Sequence, residues 1–277
     1  MDCSRTQRRP GSETGPSQFC KILKFSHLKA IGDPHSTYLN CFSYIGTDMH
    51  LFKQSSFTSK FAALHDHLQA RDTVVCVGGD SSILPVMTAI DGDFDVIVKV
   101  SPCLSRQSIA DDGKRDHANY VSSMDRSLRA KIVHFGLLDN LNSQSDVDIV
   151  LNEDKAKIMF LDKFGKTNVQ AFNELLSGLT PKTKLGVMID CESLTPDYFP
   201  GVTNPSIFGL DEKEIFGIME KIGSIDVRLK MLLFANYNPT VESTRSGDVL
   251  TYLIYSFLAK YKVAGSSVLA ALPQNDE

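Results

Sequence analysis

The chain has 277 residues, of which 42% are hydrophobic and 22% are charged, with a formal net charge of −4 at pH 7. This length and composition suit one large α/β domain, or two small ones, with a substantial buried core. The acidic balance gives no general attraction to nucleic acid, and no apolar run approaches the roughly 20 residues that cross a bilayer, so we expect neither partner.

Residues 1–18, MDCSRTQRRPGSETGPSQ, form a polar segment without the apolar stretch of a secretory signal. Its arginines are compatible with a transit peptide, but its composition favours a flexible tail. We therefore predict a flexible N-terminal tail over 1–20. No later linker is long or polar enough to divide the chain, so we predict a single domain over 21–277.

Short apolar runs alternate with helix-length amphipathic segments along the rest of the chain. This alternation predicts a three-layer α/β/α architecture with a mostly parallel central sheet. The predicted strands are 39–45, 73–78, 94–100, 131–136, 147–151, 156–161, 185–190 and 228–235. The predicted helices are 56–70, 81–90, 114–129, 167–178, 211–223 and 245–262.

Polar residues directly follow several predicted strands. In open α/β sheets, ligands lie at the carboxyl ends of the strands, so these residues are predicted to meet at one rim. Asp190 and Glu192 raise a specific question there, because two buried carboxylates on one side of a strand need a cation or hydrogen-bond donors between them. The segments at this rim are 78–82, 99–105, 190–192 and 236–239.

Four sequence blocks occur in a characteristic order: VCVGGDSSILPVMTAI, DVIVKVSPCLS, MIDCESLTPDYFPGVTNPSIFGLDEKEIFGIMEKIG and LLFANYNPTVESTRSGDVLTYLIYSFL. Their order, spacing and flanks such as PDYFPGV, FGL and NP resemble the ureohydrolase superfamily of arginase, agmatinase and formiminoglutamase across roughly residues 39–262. The spacing within 99–136 is slightly closer to the formiminoglutamase-like branch. The resemblance implies an arginase-like fold.

In that superfamily, a binuclear manganese cluster activates a water that attacks a guanidinium or formimino carbon. The ligands come from the motifs GGDHS, DAHxD and DxDxxDP. The resemblance assigns Ser81 to the histidine position of the first motif. Lys99, Ser101 and Cys103 take the positions of the second, and Asp190 and Glu192 take those of the third.

These substitutions predict that the usual manganese cluster is not bound. Two divalent ions need several carboxylates and imidazoles, whereas only Asp190 and Glu192 keep a carboxylate and no ligand position carries a histidine. Lys99 adds a repulsion of about 4 kcal/mol per pair of unit charges at ~4 Å and an effective dielectric constant of about 20. We expect no metal cofactor; any residual ion would be held by Asp190 and Glu192, with Asp80 as a further ligand.

Lys99 is the residue that we expect to replace the metal. Its ammonium would form a salt bridge with the two carboxylates, while hydroxyls of Ser81, Ser101 or Ser105 would satisfy the remaining lone pairs. An exposed lysine without a role and a catalytic lysine with a lowered pKa are the alternatives.

The substrate side of the site also departs from the superfamily. Arginase-like members carry an ExNP segment whose glutamate binds the guanidinium, and this chain has Asn236 there, so the charged partner is replaced by an amide. His117 is a loose candidate for a proton shuttle, but a solvent-facing or capping histidine fits its place at the start of helix 114–129 better. Cys103 and Ser101 beside Lys99 could supply a nucleophile, although no second base is placed by spacing, and inert packing fits Cys103 better.

Three other features have structural interpretations. His65 and His67 lie two positions apart on a predicted helix, on different faces, and are predicted to be surface residues. His134 is predicted to lie in or at the edge of the sheet, paired to backbone. The glycine pair 78–79 lacks the rest of a P-loop or dinucleotide fingerprint and is predicted to form a tight turn.

The six cysteines lie without any CxxC pair, which favours free thiols in a reducing compartment, so we predict the cytoplasm. Two functions remain open. The first is a non-catalytic ureohydrolase homologue that binds an unknown small ligand or assembles with itself or with an active homologue. The second is an active hydrolase of C–N bonds in linear amidines that uses a residual or altered metal site.

Overall fold

The centre of the protein is a parallel β-sheet. The computed structural model describes residues 73–81, 83–85, 88, 93–106, 118–164 and 167–261, together with residues 11, 14, 15, 18 and 19. Within these residues the sheet has six strands in the order β1-β6-β5-β2-β3-β4, all parallel. The strands are β1 (Val74–Val77), β2 (Val96–Val100), β3 (Ile132–Leu137), β4 (Lys157–Phe160), β5 (Lys184–Asp190) and β6 (Arg228–Ala235).

Central strands of this sheet are covered on both faces. Strands β3, β5 and β6 are buried along almost their whole length, as expected for apolar runs inside a parallel sheet. Strand β4 is partly exposed at both of its ends and is the outermost strand on its side of the described sheet. The predicted three-layer α/β architecture with a parallel sheet is therefore confirmed.

Helices lie between successive strands along the chain from β2 to β6, and one more helix follows β6. They are α1 (Arg126–Arg129), α2 (Gln144–Ile149), α3 (Asn168–Ser177), α4 (Glu212–Ser224) and α5 (Thr244–Lys260). A capping box starts α4, because the Asp211 side chain accepts from the Glu214 backbone N–H and the Glu214 side chain accepts from that of Asp211. At its other end Gly223 allows close packing on α5, since a Cβ there would lie 2.4 Å from the Phe257 carbonyl oxygen.

Strand alternation separates two hydrophobic cores, one on each face of the sheet. One core contains Val98, Val100, Val187, Ile189, Leu232 and Phe234 with the apolar sides of α3, α4 and α5. The other contains Ile97, Ile132, Met188, Met231 and Leu233. Lys99, His134 and Asp190 share the parity of this second set, so the same alternation places them on its face of the sheet.

Two predicted elements differ in the structure. The predicted strand 147–151 is wrong: this stretch ends α2 and enters a wider helical turn over Val150–Asp154. Ser143 explains the difference, because its hydroxyl accepts from the Asp146 backbone N–H at 3.1 Å and starts a helix. The predicted helix 114–129 is also not continuous, since a 3₁₀ turn over Tyr120–Ser123 precedes α1. The predicted elements 39–45 and 56–70 lie outside the described residues.

Part of the segment predicted as a tail packs on the domain. Gly11 and Gly15 are buried, and Phe19 is 6% exposed within the first core. The domain boundary at residue 20 stays a prediction. None of the helices in the described part of the chain combines the length and apolar character that a membrane crossing requires.

Candidate functional site

The polar residues predicted at the rim follow neighbouring strands of the sheet. Ser81 follows β1, Asn236 follows β6, Asp190 ends β5 and Ser101 follows β2. Because these strands are adjacent in the order β1-β6-β5-β2, their carboxyl ends bring the four side chains together. All four are buried.

Asp190 lies at the centre of this cluster, and both of its carboxylate oxygens accept hydrogen bonds. Oδ2 accepts from Ser101 Oγ at 2.9 Å and more weakly from Ser81 Oγ at 3.4 Å. Oδ1 accepts from Asn236 Nδ2 at 2.8 Å and from the Glu192 backbone N–H at 2.9 Å. All these donors are neutral groups of the chain itself, so the carboxylate is solvated by the protein in place of water.

Asn236 connects three segments of the rim. Its side-chain amide donates to Ser81 Oγ at 2.7 Å as well as to Asp190, and its backbone N–H donates to the Gly79 carbonyl at 2.6 Å. Its φ of 66° lies in the left-handed region, where asparagine is tolerated better than most residues. This backbone turn directs the amide at the carboxylate.

Lys99 is fully buried next to the same cluster. Its Nζ donates to the carbonyl oxygens of Cys103 and Leu104 and lies 5.6 Å from the centroid of the Tyr120 ring. Burial lowers the pKa of Lys99 to about 7, against the opposing attraction of the Asp190 charge.

The predicted salt bridge between Lys99 and the carboxylates is therefore wrong in its direct form. Among the described residues, the ion pairs within 4.0 Å do not include Lys99 with Asp190 or Glu192. The Lys99 ammonium instead donates hydrogen bonds to carbonyl oxygens of the loop that follows β2. Its effect on Asp190 is an electrostatic one through the protein interior.

Glu192 has its own partner, which the sequence did not suggest. Its Oε1 accepts from the backbone N–H of Asn204 at 2.9 Å and from Asn204 Nδ2 at 3.0 Å. Burial, followed by the charge of Asp190, raises the pKa of Glu192 well above its usual range. Asn204 lies in the NP segment that follows PDYFPGV, and nothing in its local sequence pattern indicates this contact.

Cys103 differs from its prediction as a free thiol. It is disulfide-bonded in the structure, whereas Cys76 and Cys191 are free. A disulfide sulfur is not a thiolate nucleophile, so the cysteine role considered beside Lys99 is not available in this state. Burial raises the pKa of Cys76 to about 12 and that of Cys191 well above its usual range, as for packed thiols.

His134 is the buried neighbour of Lys99 in the sheet register. The predicted backbone partner is not present for its Nδ1, which has no hydrogen-bond partner in the part of the chain that the structure describes. Burial, and then the positive charges of Lys99 and Arg106, lower the pKa of His134 well below 6.5. His65, His67 and His117 lie outside the described residues.

The described residues do not form a cluster of metal-ligating side chains. Over the described ranges, no group of three or more His, Cys, Asp or Glu side chains could hold a metal ion. Ser81, Ser101 and Asn236 contribute hydroxyl and amide groups, and Lys99 contributes a cation.

Solved structures show the same fold at low sequence identity. A formiminoglutamase from Trypanosoma cruzi aligns with a TM-score of 0.70 and 19% identity, covering 92% of this chain and 88% of the other. A proclavaminate amidino hydrolase from Streptomyces clavuligerus gives 0.69 and 18%, covering 92% and 86%. An arginase from Bacillus subtilis gives 0.69 and 17%, covering 94% and 97%. No curated protein sequence matches the chain.

The sequence blocks and the parallel sheet agree with a match to a protein-family model. The model of the arginase family covers residues 1–259, which is most of the chain. It includes the strand ends at which Asp190, Ser101 and Asn236 meet. This chain is a member of the arginase family, within the ureohydrolase superfamily.

Proposed function

We propose that this chain is a non-catalytic member of the arginase family that acts through ligand binding, regulation or assembly. A metal-free hydrogen-bond network takes the place of the manganese cluster. The supporting observation is the environment of Asp190, whose two oxygens accept from Ser81, Ser101, Asn236 and the Glu192 backbone. A metal ion would have to displace several of these bonds.

The donor set at the family's ligand positions does not fit two divalent ions. Manganese prefers carboxylate, imidazole and water ligands. Ser81 and Ser101 supply neutral hydroxyls, and Cys103 is held in a disulfide. Two carboxylates are left, and one of them, Glu192, has a pKa raised well above its usual range by burial.

Lys99 adds an electrostatic obstacle. It is fully buried on the Asp190 face of the sheet, where water screens its charge poorly. When protonated, it repels any cation placed between Asp190 and the loop after β2. Its pKa of about 7 means that the repulsion is substantial at neutral pH and grows as pH falls.

The alternative function is hydrolysis of C–N bonds in linear amidines with an altered metal site. Two observations favour it: Asp190 and Glu192 keep their carboxylates, and the similar structures are a formiminoglutamase, an amidino hydrolase and an arginase. A metal ion would have to replace the hydrogen-bond donors that now contact Asp190.

The non-catalytic proposal also includes assembly with itself or with an active homologue, and a cytoplasmic location.

Metal analysis with activity measurements separates the two functions. The purified chain is saturated with manganese, desalted and analysed by inductively coupled plasma mass spectrometry. It is then assayed for urea or formamide release from arginine, agmatine and formiminoglutamate. We expect substoichiometric manganese and no release. About two manganese ions per chain with product release would overturn the proposal.

Substitutions that restore the family's metal ligands test why the manganese cluster would not bind to this chain. The variant Ser81→His/Lys99→Asp/Ser101→His/Cys103→Asp should regain manganese binding. A matched variant that keeps Lys99 but carries the other three substitutions should bind much more weakly, and Cys103→Ser alone controls for loss of the disulfide. Equal binding with and without Lys99 would show that this cation does not exclude the metal. Failure of a folded fourfold variant to bind manganese would mean that the rim geometry has changed.

A further inference from the structure

Tyr120 reaches the rim of the sheet from the second core. Its side chain is 1% exposed and packs within that core. The hydroxyl lies 4.0 Å from Met188 Sδ and interacts with the hydroxyls of Ser81 and Ser105. Lys99 Nζ lies over the ring, and its distance of 5.6 Å from the ring centroid is that of a cation–π contact. The apolar body of Tyr120 is therefore part of the core, while its polar end is part of the rim.

These contacts place the ring among the family's metal-ligand positions. Ser81 and Lys99 are two of those positions, and the Tyr120 side chain contacts both. Ser81 in turn donates to Asp190, which is another of them, at 3.4 Å. Protein interiors are packed almost without gaps, so a side chain that contacts two of these positions fills space between them. Tyr120 thus takes up room that a metal ion or a substrate would need.

The 3₁₀ turn that carries Tyr120 is fixed to the loop after β2. The backbone N–H of Val121 donates to the Ser105 carbonyl oxygen at 3.2 Å. Arg106 Nη1 donates to Ser122 Oγ at 2.9 Å. One bond from each side of the contact therefore joins the turn to the segment that follows the ligand positions on β2. This attachment holds the ring in the rim.

We propose that Tyr120 closes the family's site from inside and acts as a plug that belongs to the chain itself. The phenol ring fills the space between Ser81 and Lys99 and keeps metal ions and substrates out of it. The inference rests on the proposed non-catalytic function and narrows it. With the rim closed, regulation or assembly through the outer surface is the role that is left to the chain.

Chemical labelling of Lys99 tests whether the ring closes the site. Cyanate is a small reagent that carbamylates uncharged amines, and peptide mass spectrometry gives the rate for each lysine. Wild-type Lys99 should react at least about tenfold more slowly than the exposed Lys213, because a buried group reacts only through local opening. Tyr120→Ala should make Lys99 react about tenfold faster than in wild type. Phenol, which can replace the missing ring in the cavity, should slow the reaction again.

Phe172→Ala is the matched control for this experiment. Phe172 is also fully buried, but it lies in the first core, so its removal deletes an aromatic ring away from the rim. Lys99 should stay protected in this variant. Equal Lys99 rates in the two variants would overturn the proposal. A rate in Tyr120→Ala that phenol does not lower would overturn it too, because cyanate would then reach Lys99 by another route.

A second variant covers the case in which Tyr120→Ala does not fold. Tyr120→Leu keeps more apolar volume in the second core but removes the ring and its hydroxyl. Circular dichroism of each variant shows whether it is folded before labelling. The same acceleration of Lys99 labelling is expected for Tyr120→Leu, and a folded leucine variant with the wild-type rate would contradict the proposal.

Manganese titration gives an independent readout in the fourfold variant with restored ligands. Adding Tyr120→Ala to that variant should tighten manganese binding about tenfold, because a site that is filled in its resting state binds with reduced apparent affinity. Adding Phe172→Ala should leave the affinity unchanged. Equal affinities with and without the Tyr120 ring would overturn the proposal. The labelling of Lys99 uses no metal, so its result decides on Tyr120 separately from the manganese analysis of the wild type, which decides on the proposed function.

Discussion

Asn236 Nδ2 lies 2.8 Å from Asp190 Oδ1 and 2.7 Å from Ser81 Oγ, so one neutral amide joins the carboxyl ends of β6 and β5 to the turn after β1. Lys99, the residue that we expected to neutralise Asp190 directly, bonds instead to loop carbonyls. Neutral donors therefore stabilise the buried carboxylate through hydrogen bonds. The lysine contributes its charge from a greater distance.

Replacing Asn236 should destabilise the fold. Asn236→Ala leaves Oδ1 of Asp190 with the Glu192 backbone N–H alone, at a cost of about 2–3 kcal/mol, and it adds about 1 kcal/mol of left-handed backbone strain. Asn236→Gly loses the same side-chain bonds without that strain. In guanidinium chloride unfolding, we expect the free energy of unfolding to decrease from wild type to the glycine variant and further to the alanine variant. An alanine variant as stable as wild type would contradict the network.

The buried Lys99 should make stability depend on pH. Its folded pKa of about 7 lies below its unfolded value near 10.5, so above pH 7 the unfolded state binds more protons and stability rises with pH. We expect a gain of about 1–2 kcal/mol between pH 7 and 8.5 in urea unfolding. Lys99→Met should lack this rise. Parallel curves for the two proteins would show that Lys99 titrates normally.

His134 should act on the acid side. The pKa of His134 in the folded state is well below 6.5, so its contribution to stability is fully present above pH 6.5. This contribution is lost as pH falls towards the folded pKa, because the histidine gains a proton first in the unfolded state. The free energy of unfolding should then change by up to about 1.4 kcal/mol per pH unit. Unfolding at pH 7.0 and 5.5 should separate wild type from His134→Leu, in which this contribution is absent. An unchanged difference at the two pH values would mean that His134 takes up a proton in the folded state as readily as in the unfolded state.

Asp154 is the centre of a buried ion-pair cluster with two arginines. It is 2% exposed and pairs with Arg106 Nε at 2.7 Å and Arg129 Nε at 2.8 Å. Asp154→Ala leaves two partly buried guanidinium groups unpaired and should cost about 3–5 kcal/mol.

An exposed ion pair provides the comparison for Asp154. Asp139, whose side chain is 68% exposed, pairs with Lys163 at 2.6 Å. Asp139→Ala should leave the thermal midpoint nearly unchanged, because water already screens such a pair. Similar losses in the two variants would mean that the Asp154 cluster is not a buried ion pair in solution.

Sequence patterns were sufficient for the architecture and for the place of the site. Apolar runs separated by amphipathic segments predict a parallel sheet, because a strand buried on both faces must be apolar along its length. Asp190 ends β5 and Asn236 follows the adjacent strand β6, and the geometry of parallel sheets then brings the two residues together at one rim. The stretch 147–151 was one of two exceptions, since a short apolar run does not distinguish a strand from a helix that Ser143 starts.

The hydrogen-bond partners of these residues depend on the tertiary structure. Whether Lys99 contacts Asp190 or the carbonyls of Cys103 and Leu104 depends on the course of the loop after β2, and a spacing rule contains no information about that course. The bonds from Asn204 to Glu192 and the disulfide state of Cys103 are likewise not indicated by any local sequence pattern. Hydrogen bonds act over about 3 Å, so a sequence can place two residues at one rim and still leave their contact undetermined.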